Sequence, residues 1–421
     1  MERYSSYKPT SMQWLKEIPS HWDARKMKYC FLERSEKNHP DEPILCATQS
    51  QGVIPQSMYA NRVVVVNKGF EGLKLVKKGD FVISLRSFEG GIEYAYYQGI
   101  ISAAYTILQP NKDSFSNYWK ALFKSHPFIQ LLQTCVTGIR EGQNINYSML
   151  CRAFLPLPPL AEQEKIVSYL EDKTSKIDAY VADKEKEIEL LQELKQKTIA
   201  DAVTKGLNPD AKMKDSDISW IGEIPEHWEV KQLRSFLTLF TEKGHGDAQL
   251  LSVTREQGVI ERDKDDKDEN HNFVPDDLSG YKYIEKGDFA INKMKAWQGS
   301  YAVSEYNGIV SPAYFTCKLK GVNKDFFSKA IRSRAYVPFF TQYSKGIRVG
   351  QWDLNPNALK SIPFFLPPAD EQRFIVSYNE EKCQKIDSLT TELQSEIDYL
   401  KEYKQRLIAD CVTGQVNVQN V

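Results

Sequence analysis

Two stretches of the chain repeat their apolar residues at the spacing of a long helix. In the later one Ile386, Leu393, Leu400 and Leu407 recur every seven residues, joined by Ile397 and Cys411. In the earlier one Ile177, Val181, Ile188, Leu191 and Leu194 form a similar stripe. Lys, Glu, Asp and Gln fill the positions between, with i,i+4 pairs such as Glu193 and Lys197. This spacing predicts a coiled-coil seam with a solvated outer face.

Both stretches are punctuated alike. The first follows Leu157-Pro-Pro159 and opens on Ala161-Glu-Gln-Glu164; the second follows Leu366-Pro-Pro368 and opens on Asp370-Glu-Gln372. Proline cannot continue a helix backwards, and early acidic side chains face the positive end of the helix dipole. Gly206 and Gly414 stand where the helices should stop. Each helix then spans about 44 residues, or about 65 Å. Such a length without a core of its own needs a partner helix, and an antiparallel pair within one chain supplies it.

Before each helix lie about 150 residues of another kind. Short β-branched and aromatic runs, such as Arg62-Val-Val-Val-Val66 and Phe81-Val-Ile-Ser-Leu85, alternate with turns and with helical stretches such as Tyr118-Trp-Lys-Ala-Leu-Phe-Lys124. The expected fold class is α/β (α+β) with much irregular structure.

These two globular stretches are copies of one another. Trp14-Leu-Lys-Glu-Ile-Pro-Ser-His-Trp22 returns as Trp220-Ile-Gly-Glu-Ile-Pro-Glu-His-Trp228, and Gln51-Gly-Val-Ile54 as Gln257-Gly-Val-Ile260. Lys78-Gly-Asp-Phe81 returns as Lys286-Gly-Asp-Phe289, and Gly99-Ile-Ile-Ser-Ala-Ala-Tyr105 as Gly308-Ile-Val-Ser-Pro-Ala-Tyr314. Gly138-Ile-Arg140 with Gln143 matches Gly346-Ile-Arg348 with Gln351. The order is kept and the offset hardly drifts, which is the signature of a duplicated unit. The reading is a pseudo-two-fold repeat: domain one over 1–157, helix one over 158–206, domain two over 207–366, helix two over 367–414, and a tail over 415–421.

Composition narrows the function classes. Among 421 residues 41% are hydrophobic and 12% aromatic, which suits packed cores. Lys plus Arg number 55 against 56 Asp plus Glu, a net charge of −1, so a phosphate-binding face requires charge segregated between surfaces. Seven cysteines, none in a C-x-x-C pair, read as reduced thiols. The N-terminus has no apolar signal core, and the longest aliphatic stretch, Val63 to Val66, is far short of a membrane span. A cytoplasmic protein with no membrane association is expected.

Catalytic chemistry is not encoded in any recognisable motif. Pro158-Pro159 and Pro367-Pro368 precede Leu160 and Ala369, so neither is a methyltransferase adenine pocket. No G-x-x-x-x-G-K-[ST] loop and no G-x-S-x-G elbow occurs. Glu229-Val-Lys231 resembles the tail of a nuclease motif, but its repeat partner is Asp23-Ala-Arg25. His21 and His227, each between Pro-x and Trp, read as structural. No metal and no cofactor is expected in this chain.

The twin Trp-x-x-x-Ile-Pro-x-x-Trp openings, the Lys-Gly-Asp-Phe turns, Asn292-Lys-Met-Lys-Ala-Trp-Gln-Gly299, Gly308-Ile-Val-Ser-Pro-Ala-Tyr314 and the Leu-Pro-x-Pro…Glu-Gln helix starts together resemble the type I restriction–modification specificity subunits. The resemblance covers nearly the whole chain. It implies two target-recognition domains, each reading one half of an interrupted double-stranded DNA site. It implies helices that set the spacing and dock two methyltransferase subunits, which carry S-adenosylmethionine chemistry at adenine N6. Translocating nuclease subunits join when restriction is active. The alternative is a coiled-coil scaffold whose globular domains bind protein partners, a reading that the near-zero net charge supports.

Candidate DNA contacts follow from side-chain chemistry, since Arg and Lys suit guanine while Asn and Gln suit adenine. They are Arg62, Lys68, Arg86, Arg140, Gln143 and Asn144 in the first domain. In the second they are Arg255, Lys293, Lys295, Gln298, Arg348 and Gln351. Where the second copy has Lys293-Met-Lys-Ala-Trp-Gln298 the first has Leu85-Arg-Ser-Phe-Glu-Gly90; both a reading loop and an unconstrained surface loop fit that divergence. The Gly-Ile-Arg pairs at 138–140 and 346–348 recur in both halves and suit phosphate contact or fold maintenance better than base reading. Trp297 and Trp352 read as packed aromatics. The run Glu261-Arg-Asp-Lys-Asp-Asp-Lys-Asp-Glu269 reads as a solvated loop.

Overall fold

The computed structural model describes residues 2–60, 69–111, 115–138, 143–263, 275–348 and 351–419, and the side chains of 347, 348 and 351 are outside the description. The chain divides into two units: residues 1–185 with 394–421, and residues 186–393. The division falls inside the long helices rather than at their ends.

The first unit is built on a four-stranded antiparallel sheet. Its strands are β1 (Phe31–Arg34), β4 (Phe81–Ile83), β5 (Glu93–Tyr94) and β6 (Thr106–Pro110), in the order β1-β6-β4-β5. A hairpin of β2 (Leu45–Thr48) and β3 (Gly52–Pro55) and two helices, α1 (Ser116–Phe123) and α2 (His126–Thr134), complete what matters for the site. Strand β4 is buried at all three of its positions. Phe81 and Ile83 face a core with Phe31, Trp119 and Phe123, while Val82 faces a smaller cluster with Leu45, Val53 and Ile107. A strand covered on both faces reads as a continuous apolar run instead of an alternation, which is why Phe81-Val-Ile83 does. Leu85, expected to continue the strand, is exposed in the following turn. The run Arg62–Val66 lies outside the described residues.

The second unit repeats this plan. Strands β7 (Leu237–Phe240), β10 (Phe289–Ile291), β11 (Tyr301–Val303) and β12 (Phe315–Leu319) take the order β7-β12-β10-β11. The hairpin is β8 (Leu251–Thr254) with β9 (Gly258–Glu261), and the helices are α4 (Lys324–Arg332) and α5 (Val337–Tyr343). Phe289 and Ile291 face the main core and Ala290 the smaller one. The repeated Lys-Gly-Asp-Phe turn has the same internal bond in both units: the buried Asp80 accepts from the Lys77 amide at 2.8 Å, and Asp288 from the Glu285 amide at 2.9 Å.

Two long helices each contribute residues to both units. The first, α3, spans Leu160–Lys205 and the second, α6, spans Ala369–Val412. They end at Gly206 and Gly414, whose φ of +73° and +74° is the left-handed cap that only glycine adopts cheaply. Within the first unit Lys404 meets Asp178 at 2.6 Å, Lys401 meets Glu185 at 3.2 Å and Lys184 meets Glu396 at 3.0 Å. Partner numbers rise on one helix as they fall on the other, so these segments are antiparallel. Within the second unit Lys195 meets Asp387 at 2.7 Å.

The α6 stripe is buried at Ile386, Leu393, Ile397 and Leu407 and half-buried at Leu400. On α3, Val181 is buried, while Ile177, Ile188 and Leu191 are half-buried. Leu194 departs from the expectation: it is 49% exposed. The alternating steps of four and three from Ile177 land on Lys184 and Lys195 rather than Leu194. These lysines lay their aliphatic stems along the seam and put the ammonium on an acid of the facing helix.

Asn379 continues the seven-residue series of Ile386 and Leu393 towards the helix start, is fully buried, and has no hydrogen-bond partner for either amide atom. An unmatched buried amide costs about 1–3 kcal/mol. Asn379→Leu is therefore expected to raise the thermal midpoint by a few degrees, about 2–4 °C for each kcal/mol gained in a domain of this size. A lowered midpoint would show that the amide serves packing or a bridging water.

Candidate nucleic-acid interface

In the second unit three segments carrying candidate contacts converge. The first is the β8–β9 turn, closed by the Thr254 hydroxyl donating to Gly258 O at 3.1 Å and accepting from the Gln257 amide at 3.2 Å. The first unit has the same turn, with Thr48 to Gly52 O at 3.0 Å and the Gln51 amide to Thr48 at 3.0 Å. Gly258 has φ +81°, and a Cβ there would lie 2.9 Å from Ala302 Cβ. The repeated Gln-Gly-Val-Ile motif is thus a tight turn pressed on the sheet edge.

The second segment is the loop Asn292–Ser300 after β10. A Cβ on Gly299 would lie 3.9 Å from Arg255 Cγ, so the hairpin turn and this loop are neighbours. The third is the strand Gln351–Leu354, tied to the loop by the Leu354 amide donating to Lys293 O at 3.1 Å and by Trp297 against Trp352 at 5.0 Å. Arg348 and Gln351 are cross-strand neighbours in the hairpin of Ser344–Arg348 with Gln351–Leu354.

The candidates on this surface differ in availability. Lys295 is exposed. Arg255 is exposed, its Nε 3.5 Å from Glu256. Lys293 is half-buried and meets Asp353 at 3.2 Å, so a nucleic acid would have to compete with that acid. Gln298 is half-buried. The first unit offers Arg86, exposed and 3.9 Å from Glu89, with Gln143 and Asn144, both exposed. The turn Ser87–Gly90 beside Arg86 touches the strand Asn144–Ile145, as the matching pieces touch in the second unit. Arg62, Lys68 and Arg140 lie outside the described residues, as does 264–274, which holds most of the expected acidic loop.

Two cations lie beneath these surfaces. Arg332 donates from Nη2 to Arg255 O at 3.0 Å and Glu256 O at 2.9 Å, and from Nη1 to Tyr301 O at 2.9 Å. Burial pulls its affinity for the proton down from the ordinary arginine value. Lys124 donates to Gln49 O at 3.2 Å, Gly90 O at 2.8 Å and Glu93 Oε1 at 2.6 Å. Burial pushes the Glu93 carboxyl up to about 7, against the opposing pull of Lys124.

A separate cluster explains the His-Trp and Glu-Gln repeats. Glu162, in the first turn of α3, accepts from His21 Nε2 at 2.8 Å, Trp22 Nε1 at 3.0 Å and the Tyr4 hydroxyl. Glu371, in the first turn of α6, accepts from His227 at 2.8 Å and Trp228 at 3.1 Å. The next residue anchors each helix start. Gln163 donates to Pro158 O at 2.9 Å and accepts from the Phe115 amide at 2.9 Å; Gln372 donates to Pro367 O at 2.8 Å and accepts from the Asn323 amide at 2.9 Å. Sequence reasoning gave the histidines a structural role but missed the glutamates as their partners. The joint recurrence of both motifs was the available signal.

Asp23 and Glu229 begin short strands paired with Phe154–Leu157 and Pro363–Leu366, so the nuclease-like triplet is an edge of ordinary sheet. Among the described residues no group of three His, Cys, Asp or Glu could hold a metal ion, and no helix is long and apolar enough to cross a membrane.

Comparison with known proteins accords with this geometry. The type I restriction modification DNA specificity domain matches residues 20–190. The chain is 25% identical over 368 residues to the type I restriction enzyme MjaVIII specificity subunit of Methanocaldococcus jannaschii, covering 82% of this chain and 81% of that protein. It is 24% identical over 336 residues to the EcoKI specificity subunit of Escherichia coli, covering 74% and 68%. Its fold resembles the HsdS subunit from Thermoanaerobacter tengcongensis, with TM-score 0.53 at 15% identity over 95% of this chain and 98% of that one. It also resembles a chain from a structure of type I R-M complex assembly and conformational transition, with TM-score 0.64 at 14% identity over 95% and 99%. The chain is thus similar in sequence, along most of its length, to type I restriction–modification specificity subunits, and its mixed α/β fold is similar to solved structures from such systems.

Proposed function

We propose that each unit reads one half of an interrupted DNA sequence, that the paired helices set the distance between the halves, and that they dock two methyltransferase subunits. The observation that carries this reading is one scaffold presenting two different sets of side chains. The Thr-closed turn and the half-buried cation recur, while the loop is Leu85–Gly90 in one unit and Lys293–Gln298 in the other. A common frame with divergent tips is what independent reading of two sequences requires.

Matched apolar side chains on the helices support two copies of one partner. Tyr399 and Tyr403 of α6 are exposed in the first unit, and Leu190 and Leu194 stand at the corresponding turns of α3 in the second. Exposed aromatic and leucine side chains at equivalent places suit the same protein surface twice. Adenine N6 methylation from S-adenosylmethionine, and cleavage where nuclease and translocase subunits join, belong to those partners in the cytoplasm. This chain supplies address, not catalysis.

Purification of the tagged chain from its host, with quantitative mass spectrometry, tests the reading. The expected result is an adenine methyltransferase at about two copies per chain, falling to about one in Leu194→Asp and in Tyr403→Asp. Binding of the complex to DNA should weaken steeply with salt, as phosphate contacts dictate. Recovery without a methyltransferase, with salt-insensitive binding to other proteins, would instead establish the scaffold role.

A further inference from the structure

Lys124 and Arg332 occupy matched places at the ends of α1 and α4. Each sends its cation back under the sheet edge to carbonyls of the hairpin turn and of the segment after the central strand. The compensation differs between units. Lys124 has the carboxylate of Glu93, which pairs across from Val82; at the matching register, opposite Ala290, the second unit has Ala302. Arg332 makes do with three carbonyls, its fork reaching both neighbours of the turn and the sheet edge together.

A half-buried cation held by carbonyls alone is an expensive way to fill space, since an apolar side chain would avoid the desolvation cost. What it gains is a bond to two separate segments at once. In the second unit one segment is the turn that carries Arg255, and the other is the start of β11 at Tyr301, directly after the loop that carries Lys295 and Gln298. In the first, Gln49 O and Gly90 O tie the turn to the loop that carries Arg86. Holding flexible reading segments in one arrangement before DNA arrives removes the ordering cost from binding and sharpens discrimination.

We propose that Lys124 and Arg332 are positioning residues for base reading, each tying the hairpin turn to the segment that follows the central strand so that the turn and the adjacent loop present one fixed pattern to a half-site. This rests on the DNA-reading role proposed above.

The test uses the full chain with its co-purifying methyltransferase and selection from a random duplex library. Unsubstituted protein is expected to enrich a two-part sequence. Arg332→Gln and Arg332→Lys should each lower enrichment of the half read by the second unit by roughly ten-fold, the scale of one lost base contact, and leave the other half intact. Arg332→Lys combined with Ala302→Glu rebuilds the first unit's arrangement and should restore the lost half. Because Arg332→Gln could unfold the unit, the reciprocal pair Lys124→Arg with Glu93→Ala serves as a second probe, and should retain the first half where Glu93→Ala alone weakens it. Substitutions that lower the melting temperature while both halves stay equally enriched would make the cations structural and overturn the proposal. Failure of the unsubstituted protein to enrich any two-part sequence would overturn the DNA-reading role itself, before any substitution is made.

Discussion

Glu162→Ala is expected to lower the stability of the first unit by about 3 kcal/mol, the scale of several buried donors left without an acceptor. Trp22 is fully buried and Tyr4 nearly so, so water cannot replace the lost carboxylate at either. Burial and the neighbouring carboxylate both hold the Tyr4 hydroxyl in its protonated, donating form. For a domain of this size the loss corresponds to a fall in melting temperature of about 6–12 °C. Glu371→Ala should cost less. Its carboxylate is more exposed, with side-chain exposure of 23% against 3% for Glu162, and it has two side-chain partners rather than three. Thermal melts of the two variants side by side check the order. Equal shifts would mean that the clamp contributes through something other than its buried donors.

Leu393→Asp is expected to be comparably severe. Leu393 is 8% exposed on the α6 stripe, and an unpaired carboxylate in such a place costs about 3 kcal/mol or more. The acid replaces a side chain whose neighbours on the same stripe, Ile386 and Ile397, are equally buried. Leu389→Asp is the control: one turn away but 49% exposed, it should change the melting temperature little. If Leu393→Asp melts like the unsubstituted chain, the seam is elsewhere on the helix. If both variants fall together, the loss is general helix damage.

The long helices were legible because their signals are local. A seven-residue period, Pro-Pro before each start and Gly at each stop need no knowledge of the rest of the chain. The duplication was legible for a similar reason, since Glu-Ile-Pro-x-His-Trp and Lys-Gly-Asp-Phe keep identity in both copies. The errors on the helices come from side chains that act against type. Lys195 lies on the seam by burying its stem, which displaced Leu194 from it, and Asn379 sits on the stripe while being polar.

The site was less legible because its bonds join distant residues. His21 and Trp22 meet Glu162 across more than a hundred positions, and nothing local marks that meeting. Lys124 and Arg332 stand at matching places but differ in residue type, so sequence identity between the copies does not pair them. The exposed contacts were proposed from chemistry alone. The fold brings Arg255, Lys293, Lys295 and Gln298 onto one surface of the second unit, yet the pairing of Lys293 with Asp353 could not have been foreseen from spacing.

The most direct test of the account is a map of N6-methyladenine in a host stripped of other methylation. The host would express the methyltransferase subunits with this chain, then with a chain whose residues 1–155 come from another specificity subunit. The expected result is an interrupted two-part motif that appears only when this chain is present, and of which one half changes on exchange while the other half stays. A change in both halves, or methylation that ignores the exchange, would contradict independent reading by the two units.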